Sequence, residues 1–260
     1  MPRQTLAETL RAGTTVVSAW VTLPDPLVAE AVARSAFGAV TLDVQHGLHD
    51  TASVMQSIAG IAHAGKPAIV RLAVDDFGFA SRSLDFGAEA VIAPMINSVA
   101  DAQRLVAATK YPPLGERSWG PTRAMSLFGI DDAQVQLRTA NRSTLAIAMI
   151  ETMRALDVLD DILAVEGLDG VFLGPSDLSV TFSRGERVAP ADAFIDAPVR
   201  RIAEQANKAG KIAGAFAVNG ERVRFYREIG YRLIALASDQ SYLARGISAM
   251  LADVDGKSPA

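Results

Sequence analysis

The chain has 260 residues, of which 50% are hydrophobic and 21% are charged, so it can bury one large core. Its net charge of −4 argues against a nucleic-acid surface, and the absence of cysteine excludes disulfides and thiol chemistry. No apolar run approaches the ~20 residues of a membrane span, and residues 1–14 lack the apolar stretch of a signal peptide, so we expect a cytoplasmic protein.

Short apolar runs typical of strands alternate with helical patterns along the chain. After a first helix at 6–13, the predicted strand and helix pairs are, in chain order, 15–20 and 26–35, 38–43 and 51–64, 68–72 and 77–86, 90–94 and 99–109, 145–150 and 155–165, 171–173 and 193–209, 212–216 and 221–229, and 233–237 and 242–254. Eight such units predict an α/β fold, a single-domain (β/α)8 TIM barrel spanning residues 1–260.

Two segments interrupt this alternation. Residues 111–130 are rich in Pro and Gly and predict a long connection, followed by a helix at 131–141, and residues 183–190 predict a polar loop. Several helices end at a glycine suited to a left-handed stop, namely Gly65, Gly87, Gly210 and Gly230. The alternative fold is an open doubly wound sheet, but the turn after the first strand lacks the glycine fingerprint of dinucleotide-binding folds.

Two carboxylates follow neighbouring strands in the second half of the chain. Glu151 comes directly after the run 145–150, and Asp177 follows the run 171–173 through Gly-Pro-Ser. Because parallel strands present their carboxyl ends at one edge, both acids are expected on the same rim, where ligands bind. Two converging acids favour a divalent metal, since such ions prefer oxygen ligands. The alternative is that Glu151 caps a helix and Asp177 opens a turn.

Three further polar residues lie at predicted strand ends. Asp43 and His46 follow the second strand, and Arg71 closes the third. His46 beside Asp43 suits a base oriented by a carboxylate, although a rim histidine without that role is also compatible with the pattern. For Arg71 the structural alternative is a salt bridge to Asp43 or Glu151, which does not exclude a catalytic role.

This set of side chains suits chemistry on a 2-oxo acid. Such a substrate can chelate a divalent ion, which acidifies the adjacent methyl group, while an arginine stabilises the enolate oxygen and a histidine moves the proton. Lys66 and Lys211 precede strands and therefore lie at the other barrel end, which argues against a Schiff-base aldolase.

Several segments resemble the metal-dependent class II pyruvate aldolases of the HpcH/HpaI family, which include 4-hydroxy-2-oxoheptanedioate and 2-keto-3-deoxy sugar acid aldolases. The match runs in register from about residue 12 to about residue 250. The segments that carry it are 43–47 (Asp-Val-Gln-His-Gly), 70–71 (Val-Arg), 93–95 (Ala-Pro-Met), 111–117 (Tyr-Pro-Pro-Leu-Gly-Glu-Arg), 150–152 (Ile-Glu-Thr) and 170–178 (Gly-Val-Phe-Leu-Gly-Pro-Ser-Asp-Leu).

The resemblance implies a lyase that splits 4-hydroxy-2-oxo acids into pyruvate and an aldehyde, using Mg²⁺, Mn²⁺ or Co²⁺. It implies a homo-hexamer, a trimer of dimers that exchange the last helix, 242–254. By likeness, the residues take these roles: Glu151 and Asp177 as metal ligands, Arg71 on the keto oxygen and enolate, His46 in proton transfer with Asp43 as its partner, Asp85 as an acid supplied by a neighbouring subunit, and the backbone at Gly174, Pro175 and Ser176 on the pyruvate carboxylate.

Two positions depart from the family pattern. Many members have Glu at the position of Gln45 and Gln at that of Met149, which puts the second-substrate specificity and the proton relay in question, but not the metal site. Phe216 matches a position at the aldehyde end, where an aromatic ring would shrink the pocket. Arg123 is a candidate for binding an acidic aldehyde tail, with a solvated loop arginine or a subunit contact as the alternative.

Other functions remain as alternatives. A citramalyl- or malyl-coenzyme A lyase shares the metal acids, but usually has a longer chain with more basic residues for the coenzyme phosphates. A sugar-phosphate isomerase or epimerase barrel would need a Gly-rich phosphate site after strands seven and eight, where this chain offers only 216–220 and 237–240. A barrel used only for assembly would have no reason to place Arg71, Glu151 and Asp177 on one rim.

Overall fold

The computed structural model describes residues 4–254, in which eight parallel strands pair in chain order and close into a barrel. The predicted domain span of 1–260 also includes residues 1–3 and 255–260, which lie outside the described residues. The strands are β1 (Val16–Val21), β2 (Ala39–Asp43), β3 (Ala68–Arg71), β4 (Ala90–Ala93), β5 (Leu145–Ile150), β6 (Gly170–Leu173), β7 (Ile212–Ala217) and β8 (Leu233–Leu236). The predicted (β/α)8 barrel is therefore confirmed.

Helices surround this barrel and connect its strands. Their bounds are α1 (Leu6–Arg11), α2 (Pro26–Ala33), α3 (Thr51–His63), α4 (Phe77–Phe86), α5 (Val99–Thr109), α6 (Thr122–Phe128), α7 (Ala133–Ser143), α8 (Met153–Asp157), α9 (Leu159–Leu163), α10 (Pro175–Phe182), α11 (Asp196–Lys208), α12 (Gly220–Glu228) and α13 (Asp239–Val254), with a 3-10 turn at Ala193–Ile195. No helix among residues 4–254 has both the length and the apolar character needed to cross a membrane.

The helix predictions were wrong in four places. The segment 155–165 forms two short helices, α8 and α9, because Val158 leaves the helical region with φ −112° and ψ 21°. The helix predicted at 193–209 begins as the 3-10 turn and becomes α-helical at Asp196. Helix α6 lies inside the predicted long connection, and α10 begins at Pro175, directly after β6. The four glycine stops, in contrast, all have the expected positive φ.

Two apolar layers hold the fold together. Inward-facing strand residues fill the barrel, and Leu6 and Leu10 of α1 pack against them from the amino-terminal end of the strands. Outward-facing strand residues pack against the surrounding helices in a larger cluster. This arrangement leaves the carboxyl ends of the strands free to carry polar side chains.

The inward-facing ring of Phe172 lies near the carboxyl ends of the strands. Phe172 on β6 lies over Gly214 on β7, where a Cβ atom would come within 2.6 Å of the ring. Phe172 also lies 6.0 Å from the ring of Trp20, which in turn contacts Phe216 edge to face at 5.3 Å. The missing side chain at Gly214 therefore makes room for an aromatic floor beneath the carboxyl ends of the strands.

Candidate active site

A cavity of about 190 Å³ opens at the carboxyl ends of the strands. It lies above the aromatic floor and is lined by Trp20, His46, Arg71, Met149, Phe172, Gly174, Pro175, Ser176, Asp177 and Phe216. Two larger grooves, of about 770 and 600 Å³, lie between outer helices, and their linings hold none of the predicted site residues. Most of the residues predicted from the sequence are thus brought together at one rim.

Arg71 and Asp43 form a buried ion pair on adjacent strands. The two residues are register partners on β3 and β2, so their side chains leave the barrel wall side by side. The Arg71 guanidinium donates to both carboxylate oxygens of Asp43, from Nε at 2.8 Å and from Nη2 at 2.6 Å. It also lies 4.8 Å from the centroid of the Trp20 ring. The structural alternative of a salt bridge to Asp43 is therefore realised, and it fixes the guanidinium at the cavity wall.

Further donors complete the environment of Asp43. Trp20 Nε1 donates to Oδ2 at 3.2 Å, and the backbone N–H groups of Gln45 and His46 donate to Oδ1 at 3.0 and 3.2 Å. Burial alone would raise the pKa of Asp43, but the hydrogen bonds and charge of Arg71 outweigh it, so the pKa is lowered. Asp43 is thus held as a carboxylate by its neighbours.

The predicted pairing of Asp43 with the His46 ring takes another form. Asp43 binds the backbone N–H of His46, because its carboxylate oxygens are directed at Arg71, its neighbour on β3. The His46 side chain is exposed and lines the cavity. It can therefore reach a ligand from the rim, and the role predicted for it stays a prediction.

Glu151 directly follows β5 and is almost fully buried, with 2% of its surface exposed. Its Oε1 accepts a hydrogen bond from the backbone N–H of Met95 at 2.8 Å. Its Oε2 lies so close to Gly174 that a Cβ atom there would come within 2.2 Å. A glycine after β6 is thus needed to let this carboxylate reach the rim.

The charge environment of Glu151 differs from that of Asp43. Burial and, to a smaller extent, the negative charge of Asp177 raise the pKa of Glu151 to about 7, against the lowering effects of the Met95 N–H and of Arg71. Asp177 is exposed in the first turn of α10, four residues beyond the end of β6. A buried carboxylate with an exposed carboxylate close enough to raise its pKa forms a set of oxygen ligands that suits a divalent cation.

Helix α10 begins at the cavity. Gly174 is its N-cap and Pro175 its first residue, so Ser176 and Asp177 lie in the first turn, whose backbone N–H groups have no acceptor within the helix. Helix starts of this kind attract anionic groups. The sequence prediction that the 174–176 backbone binds a carboxylate is compatible with this placement and stays a prediction.

Two predicted residues lie away from the cavity of their own chain. Asp85, near the end of α4, pairs with Arg117 at 2.6 Å, and Arg123 is exposed in the first turn of α6. Helix α4 runs back from the strand carboxyl ends, which places Asp85 toward the opposite end of the barrel. A role for either residue at a site would require the cavity of a neighbouring subunit, as the family resemblance implies for Asp85.

Sequence reasoning missed Trp20 and Phe172 as lining residues. Both end or interrupt apolar strand runs and therefore look like ordinary core residues. The signal that could identify Trp20 is its position at the end of β1, on the same face as Val16 and Ser18, which directs it into the barrel.

Lysines lie elsewhere in the described part of the chain. Lys211 Nζ binds the backbone carbonyl of Leu168 at 2.6 Å, and Lys110 pairs with Asp169 at 2.6 Å, both close to the amino-terminal ends of strands. Among residues 4–254, no lysine lines the cavity.

Comparisons with known proteins identify the family. The family model described as HpcH/HpaI aldolase/citrate lyase matches residues 17–245. A hydroxypyruvate/pyruvate aldolase from Rhizorhabdus wittichii is 35% identical, over 93% of this chain and 94% of that protein. A 4-hydroxy-2-oxo-heptane-1,7-dioate aldolase from Salmonella paratyphi C is 32% identical, over 94% of this chain and 92% of that protein.

A solved structure gives the same result. The crystal structure of an HpcH/HpaI aldolase/citrate lyase family protein from Burkholderia cenocepacia superimposes with a TM-score of 0.86 and 29% identity, covering 96% of this chain and 98% of that one. The family match includes seven strands in full and all of β1 except its first residue, together with Glu151, Asp177 and Arg71. The chain therefore belongs to the HpcH/HpaI aldolase/citrate lyase family.

Proposed function

We propose that the chain is a divalent-metal-dependent aldolase that cleaves 4-hydroxy-2-oxo acids into pyruvate and an aldehyde. The observation that carries this proposal is that two neighbouring carboxylates, buried Glu151 and the cavity-lining Asp177, lie at the same rim as an arginine fixed by Asp43. Glu151 and Asp177 would hold the cation, and Arg71 would bind the keto oxygen of the substrate. The aldolase names of the two relatives agree with this reaction.

The donor set at Glu151 suits Mg²⁺, Mn²⁺ or Co²⁺. Within residues 4–254 there is no group of three or more His, Cys, Asp or Glu side chains placed to hold a metal. Mg²⁺ and similar ions are commonly held by one or two carboxylates, with water and substrate oxygens as the other ligands. When bound, the cation would polarise the 2-oxo group and acidify the adjacent carbon.

The remaining steps would be carried by side chains of the chain itself. His46 would accept the proton of the 4-hydroxyl group as the bond between C3 and C4 breaks and the aldehyde leaves. The electron pair of that bond would remain on the pyruvate enolate, whose oxygen the Arg71 guanidinium would stabilise. Protonation at C3 would then give pyruvate.

The cavity indicates what kind of aldehyde fits. Arg71, His46 and the start of α10 form the polar part of the cavity lining. The rest of the lining is apolar and consists of Trp20, Met149, Phe172 and Phe216. A volume of about 190 Å³ with this apolar wall favours a short aldehyde without a charged tail. An acidic tail would need a cation from outside this lining, for which Arg123 of another subunit is the candidate.

The assembly is also proposed by resemblance. Helix α13 carries a row of apolar side chains that are more than half exposed, at Leu243, Ile247, Met250, Leu251 and Val254. Their spacing places them on one side of the helix. This supports the proposal of a homo-hexamer of dimers that exchange this helix, in which a second copy covers the row.

The direct test is a screen for pyruvate release from 4-hydroxy-2-oxo acids, with Mg²⁺, Mn²⁺ and Co²⁺ supplied in turn to chelator-treated protein. We expect turnover that depends on the metal and is abolished in Arg71→Ala, which still binds metal. Arg34→Ala is a matched control, because Arg34 forms only a surface pair with Glu30. A lysine adduct after borohydride treatment with pyruvate, or full turnover by Arg71→Ala, would refute the mechanism.

A further inference from the structure

The loop after β4 approaches Glu151 in a backbone conformation that is unusual for its residue. Met95 has φ +55°, in the left-handed region that side chains other than glycine disfavour. In this conformation its backbone N–H donates to Glu151 Oε1 at 2.8 Å. A change of the Met95 φ to a negative value would rotate the peptide unit that carries this N–H relative to the next one. The bond to Glu151 therefore depends on the left-handed conformation.

Asn97 holds this loop from two directions. Its amide Nδ2 donates to the backbone carbonyl of Met95 at 2.9 Å. Its Oδ1 accepts a short hydrogen bond from the hydroxyl of Thr152, the residue that follows Glu151. Asn97 therefore links the two loops that flank the Glu151 carboxylate, and one of its two bonds is to the carbonyl group of Met95.

The ends of this link are themselves anchored. The backbone N–H of Asn97 donates to Asp101 in the first turn of α5 at 3.0 Å. The Thr152 hydroxyl also accepts from the backbone N–H of Ala155, as the N-cap of α8. Ile96, between Met95 and Asn97, is buried with 1% exposure. The loop is thus fixed at both helix starts, and the Asn97 amide is bonded to the carbonyl group of the left-handed residue Met95.

We propose that Asn97 is a positioning residue for Glu151, which it orients by keeping Met95 in the left-handed conformation. Asn97 does not line the cavity, so it acts through the Met95 N–H and not on the substrate. The inference rests on the proposed function in one respect, namely that Glu151 is a metal ligand. Loss of the Asn97 amide lets Met95 relax, and Glu151 Oε1 then loses the N–H donor that fixes the orientation of the carboxylate.

The test measures Mn²⁺ binding to chelator-treated protein by titration calorimetry. For Asn97→Ala we expect Kd to rise by about 10- to 100-fold, the usual range for loss of a group that orients a metal ligand. At saturating Mn²⁺ the kcat should return to near the wild-type value, while the Mn²⁺ concentration needed for half-maximal activity rises. A residue with a structural role alone would change the melting temperature without this shift.

The chain offers a matched control at the other end of the barrel. Asn207 Nδ2 also donates to backbone carbonyls, those of Ala203 at 2.7 Å and Gly230 at 3.2 Å, and Gly230 also has a positive φ. Asn207→Ala removes the same kind of bond far from the cavity and should leave the Kd for Mn²⁺ within about twofold of wild type. An equal effect of both asparagine variants would overturn the proposal.

Substitutions at Met95 test the conformational step directly, and they remain available if Asn97→Ala fails to fold. Met95→Gly allows a positive φ without strain, so it should bind Mn²⁺ normally and restore binding when combined with Asn97→Ala. Met95→Val disfavours a positive φ and should weaken binding although Asn97 is intact. Normal binding by both Asn97→Ala and Met95→Val would refute the inference alone, whereas no Mn²⁺ binding by the wild type would refute the proposed function.

Discussion

The raised pKa of Glu151 predicts that its charge destabilises the metal-free protein. In the folded chain the pKa is about 7, against an ordinary value of 4.5. The protonated form is therefore favoured by folding, so its contribution to stability is complete below pH 4.5 and is lost as the pH rises through about 7. At about 1.4 kcal/mol per pH unit of difference, the loss above pH 7 is about 3 kcal/mol.

The variant Glu151→Gln has no carboxylate to ionise, so it removes this loss of stability at high pH, and it keeps an acceptor oxygen for the Met95 N–H. Metal-free wild type and Glu151→Gln should be compared by urea unfolding at pH 5 and pH 8, at one protein concentration. We expect the free energy of unfolding of the variant, relative to wild type, to increase by about 2 to 3 kcal/mol between pH 5 and pH 8. Added Mn²⁺ should stabilise wild type and not the variant.

Asp177→Asn is the control for the origin of this effect, because its charge is one of the causes of the raised pKa. Without the Asp177 charge, the pKa of Glu151 should fall toward its ordinary value, and stability should depend less on pH. If the difference between wild type and Glu151→Gln were the same at both pH values, Glu151 would have an ordinary pKa in the folded chain, and the reasoning would fail.

Three further substitutions test the parts of the site. Asp43→Asn leaves the buried Arg71 guanidinium without its charged partner, so the free energy of unfolding should fall by about 3 kcal/mol and kcat by about 100-fold or more, measured by urea unfolding and steady-state kinetics. Phe216→Ala opens the apolar side of the cavity, so kcat/KM should rise for longer aldehydes and fall for short ones in the direction of synthesis; equal changes for both would contradict the assigned wall. Arg123→Ala should lower kcat/KM for substrates with an acidic tail by about tenfold and leave uncharged substrates unaffected, since one ion pair contributes about that much; an unchanged ratio would remove Arg123 from the site.

The residues found from the sequence are those whose role follows from strand periodicity. Arg71 and Glu151 stand at the ends of apolar runs, so the barrel geometry alone directs them to the rim. Trp20 was missed because an aromatic residue at a strand end has the same pattern as core packing. Helix α10 was missed because the Gly-Pro-Ser segment resembles a turn, although proline also favours the first position of a helix.

The role inferred for Asn97 lies beyond sequence reasoning for a different reason. It depends on the sign of one backbone angle at Met95 and on a contact between two loops that are 55 residues apart in the chain. Neither periodicity nor composition carries information about such a contact. A polar residue between a strand end and a helix cap has many possible partners, and the fold selects among them.

A comparison of Asp43 with Glu151 explains where a cation would bind. Asp43 and Glu151 are buried to nearly the same extent, with 1% and 2% exposure, yet their pKa values move in opposite directions. The difference is the neighbour: the bidentate bonds of Arg71 lower the pKa of Asp43, whereas Asp177 adds to the effect of burial on Glu151. The pair formed by Asp43 and Arg71 is therefore already neutral, and Arg71 would repel a divalent ion placed beside it. Within residues 4–254, Glu151 and Asp177 have no such cationic partner bonded to them, so a cation between them would relieve their repulsion and would leave the Arg71 guanidinium, held at the cavity wall by Asp43, to bind the oxygen of a substrate.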